Sequence, residues 1–229
     1  MPVRTVVQRG PKGKKAVAFA VDWPGWARGA RTADEAVELL TAYQDRYRTV
    51  AAAAGFADEL DRQLGKSGRL KVVADEEGTP STDFWGISFS PCSLETEPMG
   101  ATELERKLAL LQACWAHFDA VRAKVSPQLQ KGPRGGGRDR EEIVGHVMRV
   151  ESGDFAKRVG VPEPDVEPTT KAALRKHRTA FLAAIRAYDA GEGKRMRSGN
   201  LPFLVRHTAF HTMDHAWEME DKDLSGAAG

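Results

Sequence analysis

Three histidines recur every four residues near the C-terminal end of this 229-residue chain: His207, His211 and His215. Their segment, residues 201–222, has the pattern of a helix, and side chains four positions apart on an α-helix lie on one face, about one turn apart. Two imidazoles in this arrangement can bind one divalent metal ion. The three side chains span two turns and drift around the helix axis, so they cannot all reach the same ion. We therefore expect His211 and His215 to form the pair, with His207 supporting it or facing outward.

A metal site on this helix needs a third protein ligand from elsewhere in the chain. All six histidines lie in the second half of the sequence. His146 is the best candidate because it borders the apolar face of a predicted helix. His117 and His177 lie near the inner faces of their own helices, where packing is the ordinary role, and either could replace His146. We predict a site of His146, His211 and His215. Imidazole suits Zn, Ni, Fe and Cu, and the sequence does not choose among them.

The second half of the chain has four long helical periods separated by glycine and proline clusters. Apolar residues recur in each at steps of three and four, as in the helices of a bundle. Four such helices in about 120 residues predict an all-α, up-and-down four-helix bundle. Prolines and a glycine at residues 91–100 indicate a domain boundary, which we place between residues 97 and 98, so that the bundle spans 98–229. The predicted helices span residues 102–125, 139–158, 170–190 and 201–222, with Thr169 or Thr170 capping the third.

Residues 1–97 are predicted to form a small α+β domain. A turn built on a Pro-Gly pair follows the second strand, and a helix begins at Thr32, which forms a capping box with Glu35 and continues to about residue 54. Residues 81–90 mix turn formers with aromatic residues and are ambiguous between strand and loop. The predicted strands span residues 3–8, 15–22 and 69–74.

The composition favours a folded protein without a polyanionic partner. Hydrophobic residues make up 41% and charged residues 29% of the chain, as in ordinary globular proteins. The net charge of +2 gives no general reason to expect nucleic acid or an anionic membrane. No stretch reaches the ~20 apolar residues that cross a bilayer, and the N-terminus has no signal-peptide pattern. Cys92 and Cys114 could form one disulfide, but two free thiols fit a reducing cytosol better. We expect a cytoplasmic protein.

Charged residues around the predicted site allow two interpretations. The basic loop residues are solvated charges or, if both loops meet at one end of the bundle, an anion-binding rim; they are Arg134, Arg138 and Arg140 in one loop and Lys194, Arg195 and Arg197 in the other. The acidic residues of the last helix form a solvated face, and one of them could orient a ligand histidine through its second ring nitrogen; they are Asp214, Glu218, Glu220 and Asp221.

The histidine-bearing segments also carry a resemblance to a known family. The sequences HVMRVESGDF at residues 146–155 and HTMDHAWEMED at residues 211–221 resemble the DinB-like superfamily of metal-binding four-helix bundles. That family places one histidine on its second helix and an H-x-x-x-H pair on its fourth, which match His146, His211 and His215. The resemblance covers about residues 102–222. It implies a divalent ion, Zn or Ni, and a relationship to thiol-dependent transferases and isomerases that use mycothiol or bacillithiol.

The N-terminal part is similar, more weakly, to the HicB-like fold. The sequence WPGWARGARTADEA at residues 23–36 follows a predicted strand and precedes a helix. The family has the same aromatic-Pro-Gly turn, a later glycine and a Thr-x-x-Glu-Ala helix start. The resemblance implies a HicB-like α+β fold for residues 1–97, and we infer no toxin-neutralising role from it.

Two functions of different classes follow from these features. The first is a metal-dependent enzyme that activates a thiol or water against a small-molecule substrate, as a thiol-dependent transferase or a hydrolase-like protein. A low-molecular-weight thiol would then be a second partner, and the N-terminal domain would shape a wall of the site or a homodimer contact. The second is a non-catalytic metal- or ligand-binding stress or regulatory module with an N-terminal interaction domain.

Overall fold

The chain adopts an α+β fold with one mixed four-stranded sheet. The computed structural model describes residues 1–66, 68–132, 136–164, 170–192 and 196–226. Its contacts divide the chain into a first unit, Met1–Trp115 with Pro202–Phe210, and a second unit, Ala116–Leu201 with His211–Gly229. The sheet and the helices around it confirm the α+β class that the sequence predicted for the N-terminal part.

Among the described residues, none of the helices combines the length and apolar character that a membrane crossing needs.

The sheet belongs to the first unit and has the strand order β3-β2-β1-β4. β1 pairs antiparallel with β2 and parallel with β4, and β2 pairs antiparallel with β3. β2 is buried along its whole length, as expected for a central strand. The strands are β1 Arg4–Arg9, β2 Ala16–Ala20, β3 Ala27–Ala30 and β4 Lys71–Glu77.

The helices of the first unit differ in part from the prediction. The capping box of Thr32 and Glu35 is present. The single helix expected up to residue 54 is broken at Tyr43, although the segment contains neither Gly nor Pro to indicate it. The third strand in chain order, β3, was not predicted, and the ambiguous segment 81–90 begins as a helix rather than a strand. The helices are α1 Ala33–Ala42, α2 Gln44–Ala53, α3 Ala57–Leu64 and α4 Pro80–Trp85.

The predicted Pro-Gly turn after β2 is part of the core. Its two tryptophans, Trp23 and Trp26, are buried, and Trp26 stacks on Tyr47 of α2 with ring centroids 5.2 Å apart. Tyr47 donates its hydroxyl proton to the Pro24 carbonyl oxygen over 2.7 Å, and the Trp26 indole donates to the Leu40 carbonyl oxygen over 2.9 Å. The turn therefore joins α1 and α2 to the sheet through both apolar area and satisfied polar atoms.

A buried ion pair also stabilises the first unit. The Arg206 guanidinium donates to both carboxylate oxygens of Glu95, over 2.6 and 2.9 Å, and to the Ser88 hydroxyl. It also lies 3.9 Å above the centre of the Phe19 ring. Burial would raise the pKa of Glu95, but the charge and hydrogen bonds of Arg206 outweigh this effect and hold it below its ordinary value. Glu95 is therefore charged at neutral pH.

The second unit contains the predicted C-terminal helices. α5 and α9 contribute residues to both units. Asp139 with Glu142 caps α6, and Thr170 caps α8. α6 ends in a π-helical turn, Glu151–Phe155, which leads into the short α7, whereas the sequence predicted one continuous helix. The helices are α5 Ala101–Lys124, α6 Arg140–Val150, α7 Ala156–Arg158, α8 Lys171–Asp189 and α9 Leu201–Asp221.

Four of these helices share one hydrophobic core in the second unit. α5 supplies Phe118, α6 supplies Val147, α8 supplies Leu174 and α9 supplies Ala216 and Met219, each 5% exposed or less. Each helix contributes its apolar side, as the three- and four-residue periodicity predicted. The core thereby brings α6 and α9, the helices of the candidate histidines, into one packed assembly.

The buried ion pair gives a stability prediction. We expect Arg206→Met to lower the free energy of unfolding by about 3–5 kcal/mol, because Glu95 would keep a buried charge without its guanidinium partner. Arg4→Met removes a comparable pair with Asp22, but Arg4 is 45% exposed, and the change should be below about 1 kcal/mol. Urea unfolding curves of the two variants measure the difference. Equal losses would show that the Arg206 pair contributes no more than a surface pair.

Candidate metal centre

The structure brings the three predicted histidines together within the second unit. His146 lies on α6, and His211 and His215 lie one turn apart on α9. The Nε2 atoms of His146 and His211 are 3.1 Å apart, and the ligand atoms of all three residues lie within 4.8 Å of one another. The ring of His215 is 4.9 Å from that of His146 and 4.7 Å from that of His211, centre to centre.

This spacing is close to the spacing that a metal ion imposes on its ligands. Two nitrogens bound to a tetrahedral ion at about 2.0–2.1 Å lie about 3.3–3.4 Å from each other. The 3.1 Å separation of the His146 and His211 nitrogens already approaches this value. Small side-chain rotations would bring the nitrogen of His215 into the same range. The three imidazoles could therefore hold one divalent ion and leave a fourth position open.

A carboxylate orients one of the three rings. The Oε2 atom of Glu218 lies 2.7 Å from Nδ1 of His215, three residues earlier on α9. A carboxylate accepts hydrogen bonds, so this contact places the His215 proton on Nδ1 and leaves the Nε2 lone pair available to an ion. Glu218 is one of the four acidic residues that the sequence proposed for this role, and the structure places it against a candidate ligand.

Two cations hold Glu218 in its charged form. Lys222 donates to its Oε1 over 2.7 Å, and Arg138 donates to its Oε2 over 3.1 Å. Burial would raise the pKa of Glu218, but the hydrogen bonds from His215 and Lys222 outweigh it and lower the pKa to about 2. Glu218 is therefore ionised at any physiological pH.

The surroundings of His146 keep its imidazole neutral. Burial, followed by the electrostatic effects of the neighbouring His215 and Arg138, lowers the pKa of His146 to about 4. A protonated imidazole cannot bind a metal ion. His146 therefore has its lone pair available at neutral pH, as a ligand must.

The other histidines lie elsewhere. His207 is buried in the first unit among the rings of Phe89, Phe203 and Phe210, with centroids 5.1–6.1 Å away. His117 lies 3.5 Å from Glu220, and His177 lies 3.6 Å from Glu151. Neither of these last two belongs to the cluster formed by the three predicted ligands.

Neither cysteine can supply a reactive thiolate. Cys92 and Cys114 are both free and buried, so the disulfide left open by the sequence is not formed. Burial and the nearby Glu95 carboxylate raise the pKa of Cys92 to about 12. Burial also raises the pKa of Cys114 well above its ordinary value. Thiol chemistry at this protein would require a thiol from a small molecule.

The predicted basic rim is only partly described. Arg138 contacts Glu218 at the site, as above, whereas Arg140 bonds to Glu141 and to the Val125 carbonyl oxygen. Arg197 has no contact that would place it at the site among the interactions described. Arg134, Lys194 and Arg195 lie outside the described residues.

Sequence reasoning missed two features of the site. The π turn after α6 carries Phe155, whose ring edge meets His211 at a centroid distance of 5.6 Å. Such turns recur at functional sites, but nothing in the sequence ESGDF distinguishes one from an ordinary helical turn. Lys222 was not singled out, although its position four residues after Glu218 predicts a helical ion pair.

Comparisons with known proteins return no match: neither a protein-family model, nor a curated protein, nor a solved structure is similar enough to establish a relationship.

The electrostatics of the cluster give a prediction for the metal-free protein. We expect the His146 imidazole to take up a proton with a midpoint near pH 4, because burial and nearby positive charge disfavour the imidazolium; an unperturbed histidine titrates near ~6.5. An NMR acid titration of the imidazole C–H resonances measures the midpoint, and His146→Gln identifies the resonance. A midpoint at or above the unperturbed value would contradict the described environment.

Proposed function

We propose that His146, His211 and His215 bind one divalent metal ion, Zn or Ni, in a DinB-like helical bundle that follows a HicB-like N-terminal domain. One observation carries the proposal: three imidazoles from two helices converge within 4.8 Å. Glu218 supports it, because a carboxylate on the far nitrogen of a ligand histidine is a common feature of protein metal sites. The resemblance of the same residues to the DinB-like family supports the choice of ion and fold.

The protein would act as a metal-dependent enzyme with a small-molecule substrate. A divalent ion on three imidazoles supplies a Lewis-acidic position that lowers the pKa of a bound water or thiol. The chain itself supplies neutral donors, since His146 resists protonation. It also fixes the ring of His215 through Glu218.

We favour transfer of a low-molecular-weight thiol over hydrolysis. The two cysteines of the chain are buried with raised pKa values, so the nucleophilic sulfur must come from outside, as in the thiol-dependent members of the DinB-like family. In such a transfer the thiol loses its proton, its sulfur forms a bond to the electrophilic carbon, and the leaving group departs with the bonding electrons. We propose a cytoplasmic location, because two free thiols persist in a reducing compartment.

An exposed aromatic pair in the first unit supports a second candidate function. Phe84 and Trp85 of α4 are 65% and 63% exposed, and their rings pack edge to face at 4.4 Å. Exposed aromatic residues of this size often mark binding surfaces. This surface favours a non-catalytic metal-binding regulatory module whose N-terminal domain binds a partner.

The metal assignment predicts the effect of removing single ligands. We expect the purified protein to hold about one Zn or Ni ion per chain, and His146→Ala, His211→Ala and His215→Ala each to lose it, because two imidazoles rarely retain such an ion against buffer competition. Elemental analysis after dialysis measures the metal content, and circular dichroism confirms the helix content.

The matched control is His117→Ala, which removes a histidine of the same unit outside the cluster and should leave the metal content unchanged. Glu218→Gln should keep the three ligands but weaken binding by about 10–100-fold, because the oriented carboxylate is lost. Undiminished metal in all three ligand variants would reject the site.

The enzyme proposal predicts thiol-dependent turnover. We expect the metal-loaded protein to accelerate conjugation of glycosylated-cysteine thiols of the mycothiol or bacillithiol type with chlorodinitrobenzene above the uncatalysed rate. The acceleration should fall by about 100-fold or more in His211→Ala, because the thiol would no longer be activated. Absorbance of the conjugate follows the reaction.

His117→Ala is again the control and should retain the activity. A fully metal-loaded protein that accelerates neither thiol transfer nor ester hydrolysis would contradict the enzyme proposal and favour the regulatory module. Protein without any bound metal would contradict the enzyme and the metal site, and would favour a regulatory module that binds another ligand.

A further inference from the structure

β4 is an exposed strand at the edge of the sheet. It pairs with β1 on one side, and no strand among the described parts of the chain pairs with its other side. Two large aliphatic residues in its first half, Val72 and Val73, are 45% and 38% exposed. An edge of this kind offers backbone N–H and C=O groups to another strand.

The charges of β4 are sorted along its length. Its basic residues stand at the start, Arg69 just before the strand and Lys71 as its first residue. Its acidic residues stand at the end, with Asp75 and Glu77 exposed. Charges on an edge strand ordinarily prevent indiscriminate pairing. Sorted in this way, they still admit a partner strand with the same sequence in the opposite direction.

The direction of pairing decides whether the charges attract or repel. A parallel second copy of β4 would set Lys71 against Lys71 and Glu77 against Glu77, and like charges directly opposite each other are unfavourable. An antiparallel copy centred on Val73 sets Lys71 against Asp75 and Arg69 against Glu77. A copy centred on the next residue sets Lys71 against Glu77. The first of these registers also brings apolar residues together, with Val73 opposite Val73 and Val72 opposite Ala74.

Existing contacts of Asp75 and Glu77 do not prevent this pairing. Asp75 accepts two hydrogen bonds from Arg9, over 2.8 and 2.7 Å. A carboxylate has about four acceptor positions, so Asp75 can accept from a further cation. Glu77 is exposed and available to the basic end of a second strand.

We infer that this chain forms a homodimer in which the β4 strands of two copies pair antiparallel across a two-fold axis, making a continuous eight-stranded sheet. The pairing is isologous, since each copy offers the same edge. Backbone hydrogen bonds supply the attraction, and the sorted charges select the partner and its direction. The inference uses only residues of the first unit and is independent of the proposed metal site.

Sedimentation equilibrium of the full chain tests the dimer. We expect a species of twice the 25.1 kDa chain mass, with an affinity that falls as salt is added because the charge pairs are exposed. Val73→Lys should raise the dissociation constant of the dimer by at least about tenfold, since it places two like charges at the centre of the β4–β4 interface. Leu224→Lys alters a residue of equal exposure, 38%, in the second unit and should leave the dissociation constant unchanged.

Two charge variants test whether the charges of β4 select its partner strand. Arg69→Glu with Lys71→Glu makes the strand acidic throughout, and Asp75→Lys with Glu77→Lys makes it mainly basic. Each double variant alone should be monomeric, and an equal mixture of the two should form dimers. Circular dichroism checks that both are folded. A monomeric wild-type protein, a dimer insensitive to Val73→Lys, or folded charge variants that each still dimerise alone would overturn the inference.

Discussion

The candidate site depends on the core that α6 and α9 share. Val147, next to His146, and Ala216, next to His215, are both fully buried in that core. A packed core tolerates little displacement of its helices. The distances among the three imidazoles are therefore set by apolar packing, and the polar cluster forms where the packing places it. If α9 turned by one residue within this core, the pair on α9 would no longer face His146.

Ion pairs fix the polar side chains that the apolar packing brings together. In each unit a buried or partly buried carboxylate is kept ionised by a cation from another position in the chain: Glu95 by Arg206 in the first unit, and Glu218 by Arg138 and Lys222 in the second. The role of the carboxylate differs. Glu95 holds a structural guanidinium among aromatic rings, whereas Glu218 orients the ring of a candidate metal ligand.

Features set by short-range sequence patterns were predictable. The i, i+4 spacing of His211 and His215 and the apolar period around His146 placed the three rings correctly on the inner sides of their helices. The capping pairs at Thr32 and Asp139 marked helix starts, because a cap is decided by neighbouring residues. These patterns also identified the α+β class.

Features set by tertiary contacts were not predictable. β3 is only four residues long, and its pairing with β2 rather than its own composition makes it a strand. The helix break at Tyr43 has no Gly or Pro to indicate it. The π turn that holds Phe155 against His211 depends on the surrounding packing, as does the approach of Arg138 to Glu218 across 80 residues of sequence.

The central claim is that three imidazoles bind one ion, and X-ray absorption spectroscopy of the zinc- or nickel-loaded protein tests it most directly. The account predicts scattering from three imidazole nitrogens at about 2.0–2.1 Å with one or more water oxygens in the remaining positions. A spectrum explained by oxygen ligands alone, or by sulfur from the cysteines, would contradict it.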